Sequence, residues 1–453
     1  MPEIGIIHVS KLPNRSSSGV SMLERKAYEK MKQWKNAKAK QALLVCGARQ
    51  VGKTYLIRKF TKENWQNVVE INFYENADAR HALAQANNSK EVFLRLSTFA
   101  NSPIEAGKTV FFLDEIQECP EIITAIKFLL EQQNCDYILS GSMLGTELKG
   151  IKSAPVGYLN TITMFPLDFE EFCWANSISK DLITYVKQQI EKTSVIDDYV
   201  NKRFLDLFYK YLISGGMPEA VKAFAETNNI STIRTAQEAI VTQYRWDISK
   251  YATDKGNVIR RIFDLIPSEI AKQDKKFTFK SVSGNSHFNR YDNDFLWLID
   301  AYCALPVYNV SQPCYPLPSQ INPSKFKLFS SDVGLLTFQS GMDVARTIIN
   351  TRTDINYGAI YENAVAQELK AHGHALCYYK KRNIGELDFL IQKRNQVIPV
   401  EVKSGKSYAR HVALTKVLAT KNYHINRAIV LYDGNVSVQG KVVYLPVYAC
   451  AFL

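Results

Sequence analysis

The stretch LLVCGARQVGKTYLIRKF, residues 43–60, joins an apolar run to a glycine-containing turn and then to a helical pattern. From Gly47 to Thr54 it reads G-x-x-x-x-G-K-T, which is the spacing of a phosphate-binding loop. Glycines let successive backbone N–H groups surround phosphate oxygens, the lysine counters phosphate charge, and the hydroxyl binds Mg²⁺. The stretch therefore predicts a nucleotide site formed by Gly47, Ala48, Arg49, Gln50, Val51, Gly52, Lys53 and Thr54.

An acidic element downstream supports this prediction. The apolar segment TVFFLDE, residues 109–115, predicts a strand that ends in Asp114 and Glu115. Asp114 is predicted to hold magnesium through water, and Glu115 to orient and activate the attacking water. This pair favours hydrolysis over phosphoryl transfer to a small molecule. The competing interpretation is an edge strand with two solvated carboxylates.

A further predicted strand, DYILSGS at residues 136–142, ends in small hydroxyl side chains. Ser140 or Ser142 is predicted to reach the γ-phosphate or the attacking water, so both join Lys53 and Glu115 as candidate catalytic residues. The chain has no N-K-x-D pattern for guanine, which favours ATP over GTP. The predicted cofactors are ATP and Mg²⁺.

The composition is ordinary for a large soluble globular protein. The chain has 453 residues and 56 Lys and Arg against 44 Asp and Glu, a formal net charge of +12. Residues 355–453 alone hold 13 basic and 6 acidic residues, which is compatible with a polyanionic partner and equally with ordinary surface lysines. The eight cysteines show no C-x-x-C spacing, and no apolar run is long enough to cross a membrane. A cytoplasmic protein without a membrane partner is expected.

Strand patterns alternate with helical patterns up to about residue 142, which predicts a parallel α/β sheet with its ligand at the carboxyl ends of the strands. The pattern is mainly helical from about 165 to 270. Residues 255–345 mix helix with short extended pieces. From about 355 a helix precedes several strands, two of which are joined by a short turn.

Ordered motifs along nearly the whole chain resemble those of AAA-type ATPases of a bacterial and archaeal group with a poorly characterised C-terminal module. They are GARQVGKT, FFLDEIQ, LSGS, MFPLDFEEF, YLISGGMPEA, YRWDISKY and KFKLFSSDVGLLT. The resemblance implies an α/β protein divided into an AAA-like P-loop core with an N-terminal helix (1–165), a helical lid or linker (166–254), a winged-helix-like segment (255–345) and a C-terminal domain (355–453).

The resemblance also implies an ATP-dependent homo-oligomer, because AAA-type sites usually take an arginine from a neighbouring subunit. Many relatives place a basic residue where this chain has Tyr158. The arginine finger is therefore unassigned, and the candidates are Arg234, Arg245, Arg260 and Arg261.

A predicted hairpin in the C-terminal segment carries a second group of charged residues. In VIPVEVK, Glu401 and Lys403 alternate with apolar residues and so share one face of a strand. If the turn is centred on Arg394 and Asn395, Asp388 lies opposite Glu401. Two facing carboxylates repel by roughly 0.2–1 kcal/mol unless a divalent cation or Lys403 compensates.

The order of these residues, after a helix that carries Glu362, resembles the PD-(D/E)xK nuclease superfamily, whose fold is restriction-endonuclease-like. The resemblance implies that Glu362, Asp388 and Glu401 bind a metal ion and that Lys403 positions water or stabilises developing charge. The alternative is a nuclease fold kept only as a binding module. Two functions therefore stay open: an ATP-powered protein whose C-terminal domain cuts or grips nucleic acid, and a nucleotide-controlled switch or remodeler of protein partners with a scaffold domain.

Overall fold

The computed structural model describes residues 23–37, 40–132, 135–142, 157–251, 256–272, 274–277, 292–350, 358–405 and 408–453. Among these residues the chain forms two compact units. One consists of Glu24–Phe165 with Leu296–Tyr302, and the other of Pro166–Phe295 with Cys303–Leu453. The four-segment division expected from the sequence stays a prediction.

The first unit is built on a five-stranded sheet in which all neighbouring strands are parallel. Its strands are β1 (Ala42–Gly47), β2 (Asn67–Asn72), β3 (Thr109–Asp114), β4 (Asp136–Gly141) and β5 (Leu159–Met164), in the spatial order β2-β3-β4-β1-β5. The residues of β1 and β3 are all buried, as expected for parallel strands covered on both faces. The parallel α/β sheet predicted from the sequence is confirmed. The edge strand β5 was not predicted, because its sequence LNTITM mixes polar and apolar residues.

The helices of this unit cover the sheet. They are α1 (Lys26–Asn36), α2 (Lys53–Asn64), α3 (Ala77–Ala84), α4 (Ser89–Ser97) and α5 (Glu121–Gln132). The first of them is the N-terminal helix expected from the sequence, and the neighbouring residues 21, 22, 38 and 39 lie outside the described ranges. The stacked rings of Phe111 and Tyr137, 5.3 Å apart, lie in the apolar core on one side of the sheet.

The second unit begins with helices. These are α6 (Phe169–Ala175), α7 (Lys180–Glu191), α8 (Asp198–Ser214), α9 (Pro218–Thr227), α10 (Ile230–Tyr251) and α11 (Gly256–Ala271). The next helix is α12 (Asp292–Asp300), whose residues up to Phe295 belong to this unit and whose residues from Leu296 belong to the first. Helix α6 starts at a capping box, in which the Asp168 carboxylate accepts from the Glu171 N–H and the Glu171 side chain accepts from the Asp168 N–H. No helix of the described residues is long and apolar enough to cross a membrane.

The second unit also holds an eight-stranded mixed sheet. Its strands are β6 (Ala304–Val310), β7 (Ile321–Ser330), β8 (Cys377–Lys381), β9 (Gly385–Lys393), β10 (Gln396–Val402), β11 (Ala428–Tyr432), β12 (Ser437–Gln439) and β13 (Val442–Pro446), in the order β12-β13-β11-β10-β9-β8-β6-β7. The helices α13 (Val333–Gln339), α14 (Met342–Asn350), α15 (Gly358–Ala371) and α16 (Val412–Ala419) accompany it.

Strands β6 and β7 come from the segment interpreted as winged-helix-like, yet they belong to the same sheet as the C-terminal strands, because β6 pairs with β8 and β7 pairs with β6. That interpretation is not confirmed, and residues 278–291 of the segment lie outside the described ranges. The hairpin register is confirmed: Gln396 pairs with Lys393 and Val400 with Phe389 in antiparallel strands.

Candidate functional site

The phosphate-binding loop follows the buried strand β1 and leads into α2. Gly52 caps that helix at φ +90°, a left-handed conformation that glycine adopts without steric cost. A side chain at Gly47 would meet the backbone oxygen of Met164 at 2.2 Å, so the loop can pass β5 this closely only with glycine there. Both glycines are thus required by backbone geometry as well as by the motif.

Lys53 lies inside this loop and is only 6% exposed. Its ammonium group donates hydrogen bonds to the backbone oxygens of Gly47 at 3.0 Å and Ala48 at 2.9 Å. Burial lowers the pKa of Lys53, while the nearby carboxylates of Glu115 and Asp114 act in the opposite direction. The ammonium is therefore held against the backbone of the loop by two hydrogen bonds.

Asp114, at the end of β3, is contacted by residues from three other elements. Its Oδ2 accepts from the Thr54 hydroxyl at 2.9 Å and from the Asn72 amide at 3.4 Å, and its Oδ1 accepts from the Ser140 hydroxyl. Burial raises the pKa of Asp114, and the hydrogen bonds from Ser140 and Thr54 counteract part of that rise. A hydroxyl and a carboxylate are oxygen ligands that suit Mg²⁺, so Thr54 and Asp114 fit the metal that the motif implies.

Glu115 occupies a different conformation from its neighbour. Its φ of +54° is in the left-handed region, which is uncommon for a non-glycine residue, and it turns the chain out of β3. The Glu115 carboxylate accepts from the Ser142 hydroxyl at 3.2 Å and from the Gln117 amide. The two serines predicted as alternatives therefore contact different carboxylates.

Two positioning residues of this site were not predicted from the sequence. Arg25 is buried and donates to the backbone oxygens of Val51 at 2.8 Å and Phe165 at 2.6 Å. Asn72 ends β2, and its amide reaches Asp114 while its oxygen accepts from the Tyr74 N–H. Neither belongs to a short motif, and only the folded chain brings them to the loop and the acidic strand.

In the second unit, the structure brings the predicted hairpin residues together. Oδ2 of Asp388 accepts from the backbone N–H of Val402 at 2.9 Å, and the Lys403 ammonium lies 2.9 Å from Oε2 of Glu401. Glu401 is 3% exposed. Burial and the neighbouring Asp388 raise the pKa of Glu401 to about 8, against the lowering effect of Lys403.

Glu362, on α15, is also 3% exposed, and two lysines face it. One carboxylate oxygen accepts from Lys275, and the other lies 3.7 Å from the Lys327 ammonium. Burial raises the pKa of Glu362, as does Asp388, while Lys327 and Lys275 lower it. The charge of Asp388 thus acts on Glu362, against the two lysines.

Lys327 is a residue of this cluster that was not predicted from the sequence. It is 1% exposed on β7, its ammonium lies 2.6 Å from Oε1 of Glu386, and it is 4.9 Å from the ring centre of Tyr378. Burial lowers the pKa of Lys327, but Glu362 and Glu386 outweigh it and the net shift is upward. Lys380 reaches the other oxygen of Glu386 at 2.8 Å.

The charge balance of this cluster therefore differs from the one expected. From the sequence, a divalent cation or Lys403 was expected to compensate the facing carboxylates Asp388 and Glu401, and the nuclease resemblance added Glu362 as a metal ligand. The structure adds Glu386 and three lysines. The resulting lysine–carboxylate cluster consists of Glu362, Glu386, Asp388, Glu401, Lys275, Lys327, Lys380 and Lys403. Lysine ammonium groups thus neutralise carboxylates for which a metal was expected.

Within the described ranges, one group of three metal-ligand side chains has ligand atoms all within 4.8 Å of one another, and it is Asp168, Glu368 and His372 rather than the predicted set. Two of its members, Asp168 and Glu368, each accept at least one hydrogen bond through one carboxylate oxygen. Glu368 accepts from the Phe169 N–H and the Tyr211 hydroxyl, both at 2.8 Å, and Asp168 caps α6.

Three family models match parts of the chain. Residues 39–173 match the family described as AAA domain. Residues 205–346 and 357–450 match two families described as domains of unknown function, DUF8612 and DUF4143. Residues 39–173 are therefore similar to AAA domains, in agreement with the parallel sheet and the phosphate-binding loop. The other two matches assign no activity.

The chain is also similar to several solved structures, at low sequence identity and low TM-score. The Walker-type ATPase of Pyrococcus abyssi is 12% identical, with coverage of 71% of this chain and 96% of that chain and a TM-score of 0.44. Cdc6p of Pyrobaculum aerophilum is 10% identical, with coverage of 74% and 96% and a TM-score of 0.26. AMPPCP-bound DnaA of Aquifex aeolicus is 12% identical, with coverage of 56% and 82% and a TM-score of 0.27. No curated protein matches the chain. With TM-scores under 0.5, these likenesses do not define a function.

Proposed function

We propose that this protein binds ATP and hydrolyses it with Mg²⁺ at the phosphate-binding loop. The observation that carries the proposal is the 2.9 Å hydrogen bond between Thr54 and Asp114, because it joins the hydroxyl of the loop to the acidic end of β3. Lys53, in the same loop, supplies the positive charge for the β- and γ-phosphates. These are the parts that phosphoryl transfer to water requires: a cradle, a cation site and a carboxylate beside them.

The roles follow from the contacts. Thr54 and Asp114 would hold Mg²⁺, which neutralises phosphate charge when bound. Ser140 donates to Asp114 and fixes its orientation. Glu115 accepts from Ser142 rather than from Ser140, so its carboxylate is positioned separately from Asp114. It can therefore orient the attacking water and accept its proton.

The test compares Glu115→Gln with the wild type and with Glu118→Gln, which changes a nearby carboxylate that has no assigned role. Glu115→Gln should bind ATP with unchanged affinity and lose turnover, since it removes only the group that handles water. Glu118→Gln should hydrolyse ATP normally. Normal hydrolysis by Glu115→Gln would refute the role assigned to Glu115.

We also propose that ATP promotes assembly of identical subunits, with an arginine supplied between them. Of the candidates, Arg245 is bound to Asp264 through two contacts of 3.0 and 2.7 Å, and Arg234 lies 4.6 Å from the ring centre of Phe338. Turnover per subunit should rise with protein concentration. A constant value, with a monomer at every concentration by light scattering, would favour a monomeric switch.

A second proposed activity belongs to the C-terminal segment: metal-dependent binding of nucleic acid, with cleavage as its chemical outcome. The observation in its favour is that Asp388, Glu401 and Lys403 meet on one hairpin, with Glu362 beside them. Asp388, Glu401 and Glu362 would hold the metal, and Lys403 would position water. The 13 basic residues of 355–453 would attract the polyanion.

This activity is tested with Mg²⁺ or Mn²⁺ on duplex and single-stranded nucleic acid, with and without ATP. Asp388→Ala and Lys403→Ala should abolish cleavage and leave ATP hydrolysis largely unchanged. Lys416→Ala, at an exposed helix position, serves as the matched control. Absence of divalent-ion binding, together with absence of nucleic-acid binding at low salt, would favour the scaffold alternative, in which the lysine–carboxylate cluster is purely structural.

A further inference from the structure

The two lysines that face Glu362 are held in different ways. Lys327 lies on a strand of the sheet, is 1% exposed and contacts two carboxylates. Lys275 lies in the short described segment 274–277, outside every helix and strand, and its side chain is 19% exposed. Lys327 is thus a fixed part of the interior, whereas Lys275 reaches Glu362 from a connecting segment.

Two other residues of the segment 274–277 also contact the rest of the second unit, and these contacts differ in strength. Asp274 pairs with Lys380 at 3.0 Å, but their side chains are 67% and 41% exposed, and ion pairs as exposed as this one contribute little. Phe277 is buried and donates its N–H to the Phe326 oxygen at 3.1 Å. The segment is therefore anchored at Phe277. Withdrawal of the Lys275 ammonium would leave the buried Glu362 carboxylate with less compensating charge, unless a cation takes its place.

The position of the Lys275 ammonium conflicts with metal binding by Glu362. It contacts one carboxylate oxygen of Glu362 while Lys327 faces the other, so a divalent cation would have to share those oxygens with two positive charges. In agreement with this, the ligand atoms of Glu362, Asp388 and Glu401 do not form a group within 4.8 Å of one another among the described residues. In this structure the carboxylates of the cluster are therefore paired with lysines.

We propose that Lys275 is an internal competitor for the divalent cation, and that its ammonium must leave Glu362 before the three carboxylates can bind a metal ion together. The inference rests on the metal-binding function proposed for this cluster. It makes the segment 274–277 a regulatory contact: any change that moves Lys275 away opens the cluster to the metal, and its return closes it. Lys327 remains in both states as the counter-ion of Glu386.

The experiment measures Mn²⁺ binding to the full chain by calorimetry without nucleotide. Binding that Asp388→Ala removes is assigned to the cluster. Lys275→Met should bind Mn²⁺ in the cluster at least about tenfold more tightly than the wild type, because the competing charge is gone. Lys275→Arg, which keeps the charge, and Lys276→Met, which removes an exposed charge from the neighbouring position, should match the wild type.

The outcomes separate this inference from the function on which it rests. Equal, Asp388-dependent binding in the wild type and in Lys275→Met would overturn the competitor role and leave the metal site intact. Tighter binding in Lys276→Met as well would overturn it too, since any nearby charge would then suffice. Absence of Asp388-dependent binding in every variant would refute both proposals. Lys275→Gln provides a second neutral variant if circular dichroism shows that Lys275→Met is misfolded.

Discussion

The Thr54 hydroxyl and the Asp114 carboxylate are 2.9 Å apart, on the first turn of α2 and at the end of β3. Ser140 donates to the other oxygen of the same carboxylate. Asp114 is 1% exposed, so these donors replace the water that would otherwise solvate it. The hydrogen bonds hold Asp114 in one orientation before any nucleotide binds.

Replacement of the two serines at the end of β4 should therefore have different effects. Ser140→Ala removes a donor to the buried Asp114 carboxylate, which should lower the free energy of unfolding by about 1.5–3 kcal/mol. It should also raise the Mg²⁺ concentration needed for half-maximal hydrolysis. Ser142→Ala should leave that concentration unchanged and lower kcat, because Ser142 contacts Glu115. Magnesium titrations of ATPase activity check this; identical profiles would contradict the separate roles.

Lys53→Ala should weaken ATP binding about 10- to 100-fold, since charge-assisted hydrogen bonds to phosphate are worth about 1.5–3 kcal/mol. Lys59→Ala is the matched control, because Lys59 lies on the same helix and its ammonium contacts Glu63 at 3.9 Å and lies 5.1 Å from the ring centre of Tyr28. Its affinity should stay within twofold of the wild type. Fluorescent-nucleotide titrations measure both, and equal weakening would mean that α2 as a whole, rather than the loop lysine, determines affinity.

Local patterns were sufficient to predict the parts of the fold that depend on neighbouring residues. The loop, the buried strands β1, β3 and β4 and the β9–β10 register follow from glycine spacing, apolar runs and alternation, and the structure has each of them. The hairpin register could be predicted because a two-residue turn at Arg394 and Asn395 fixes all later pairings.

Contacts between distant segments could not be predicted in this way. Arg25 reaches Phe165 across 140 positions and Lys275 reaches Glu362 across 87, and no periodicity encodes such pairs. Strand β7 likewise joins the C-terminal sheet although its sequence lies in another predicted segment. Three carboxylates of the second cluster could therefore be predicted from the sequence, but Glu386 and the two lysines that compensate Glu362, Lys327 and Lys275, could not.

Asp433 predicts a pH dependence of stability. Its carboxylate accepts from the Tyr361 hydroxyl at 2.9 Å, and burial raises the pKa of Asp433 to about 6. Because an unfolded chain has an Asp pKa near 3.9, the native state binds this proton more tightly. The stabilisation is fully present below about pH 4 and is lost as the pH rises through about 6, by at most about 1.4 kcal/mol per pH unit.

Asp433→Asn should abolish this contribution and keep an oxygen that accepts from Tyr361. Urea unfolding of the wild type and Asp433→Asn at pH 4, 5, 6 and 7 measures this contribution. The other titrating groups are the same in both proteins, so their effects cancel when the two free energies of unfolding are subtracted. The wild type should lose stability relative to Asp433→Asn as the pH rises from about 4 to 6. Parallel curves would show that Asp433 titrates alike in the folded and unfolded chains.

Lys327 should be the costliest lysine of the second unit to replace. Lys327→Met leaves Glu362 and Glu386 facing a side chain without charge, and breaking a buried ion pair from one side costs about 3–5 kcal/mol. Lys325→Met, at an exposed position of the same strand, should change the free energy of unfolding by less than about 0.5 kcal/mol.

The double variant Lys327→Met/Glu362→Gln tests whether Lys327→Met loses stability because the Glu362 carboxylate is left without the charge of Lys327. Removal of the Glu362 charge as well should recover part of the lost stability, with a coupling of about 0.5–3 kcal/mol in the double-mutant cycle, because the two groups are 3.7 Å apart and share one network. Urea unfolding of the four proteins measures this coupling. Additive effects of the two substitutions would mean that Lys327 stabilises the sheet by packing against Tyr378 and by its pair with Glu386, and that Lys275 alone compensates Glu362.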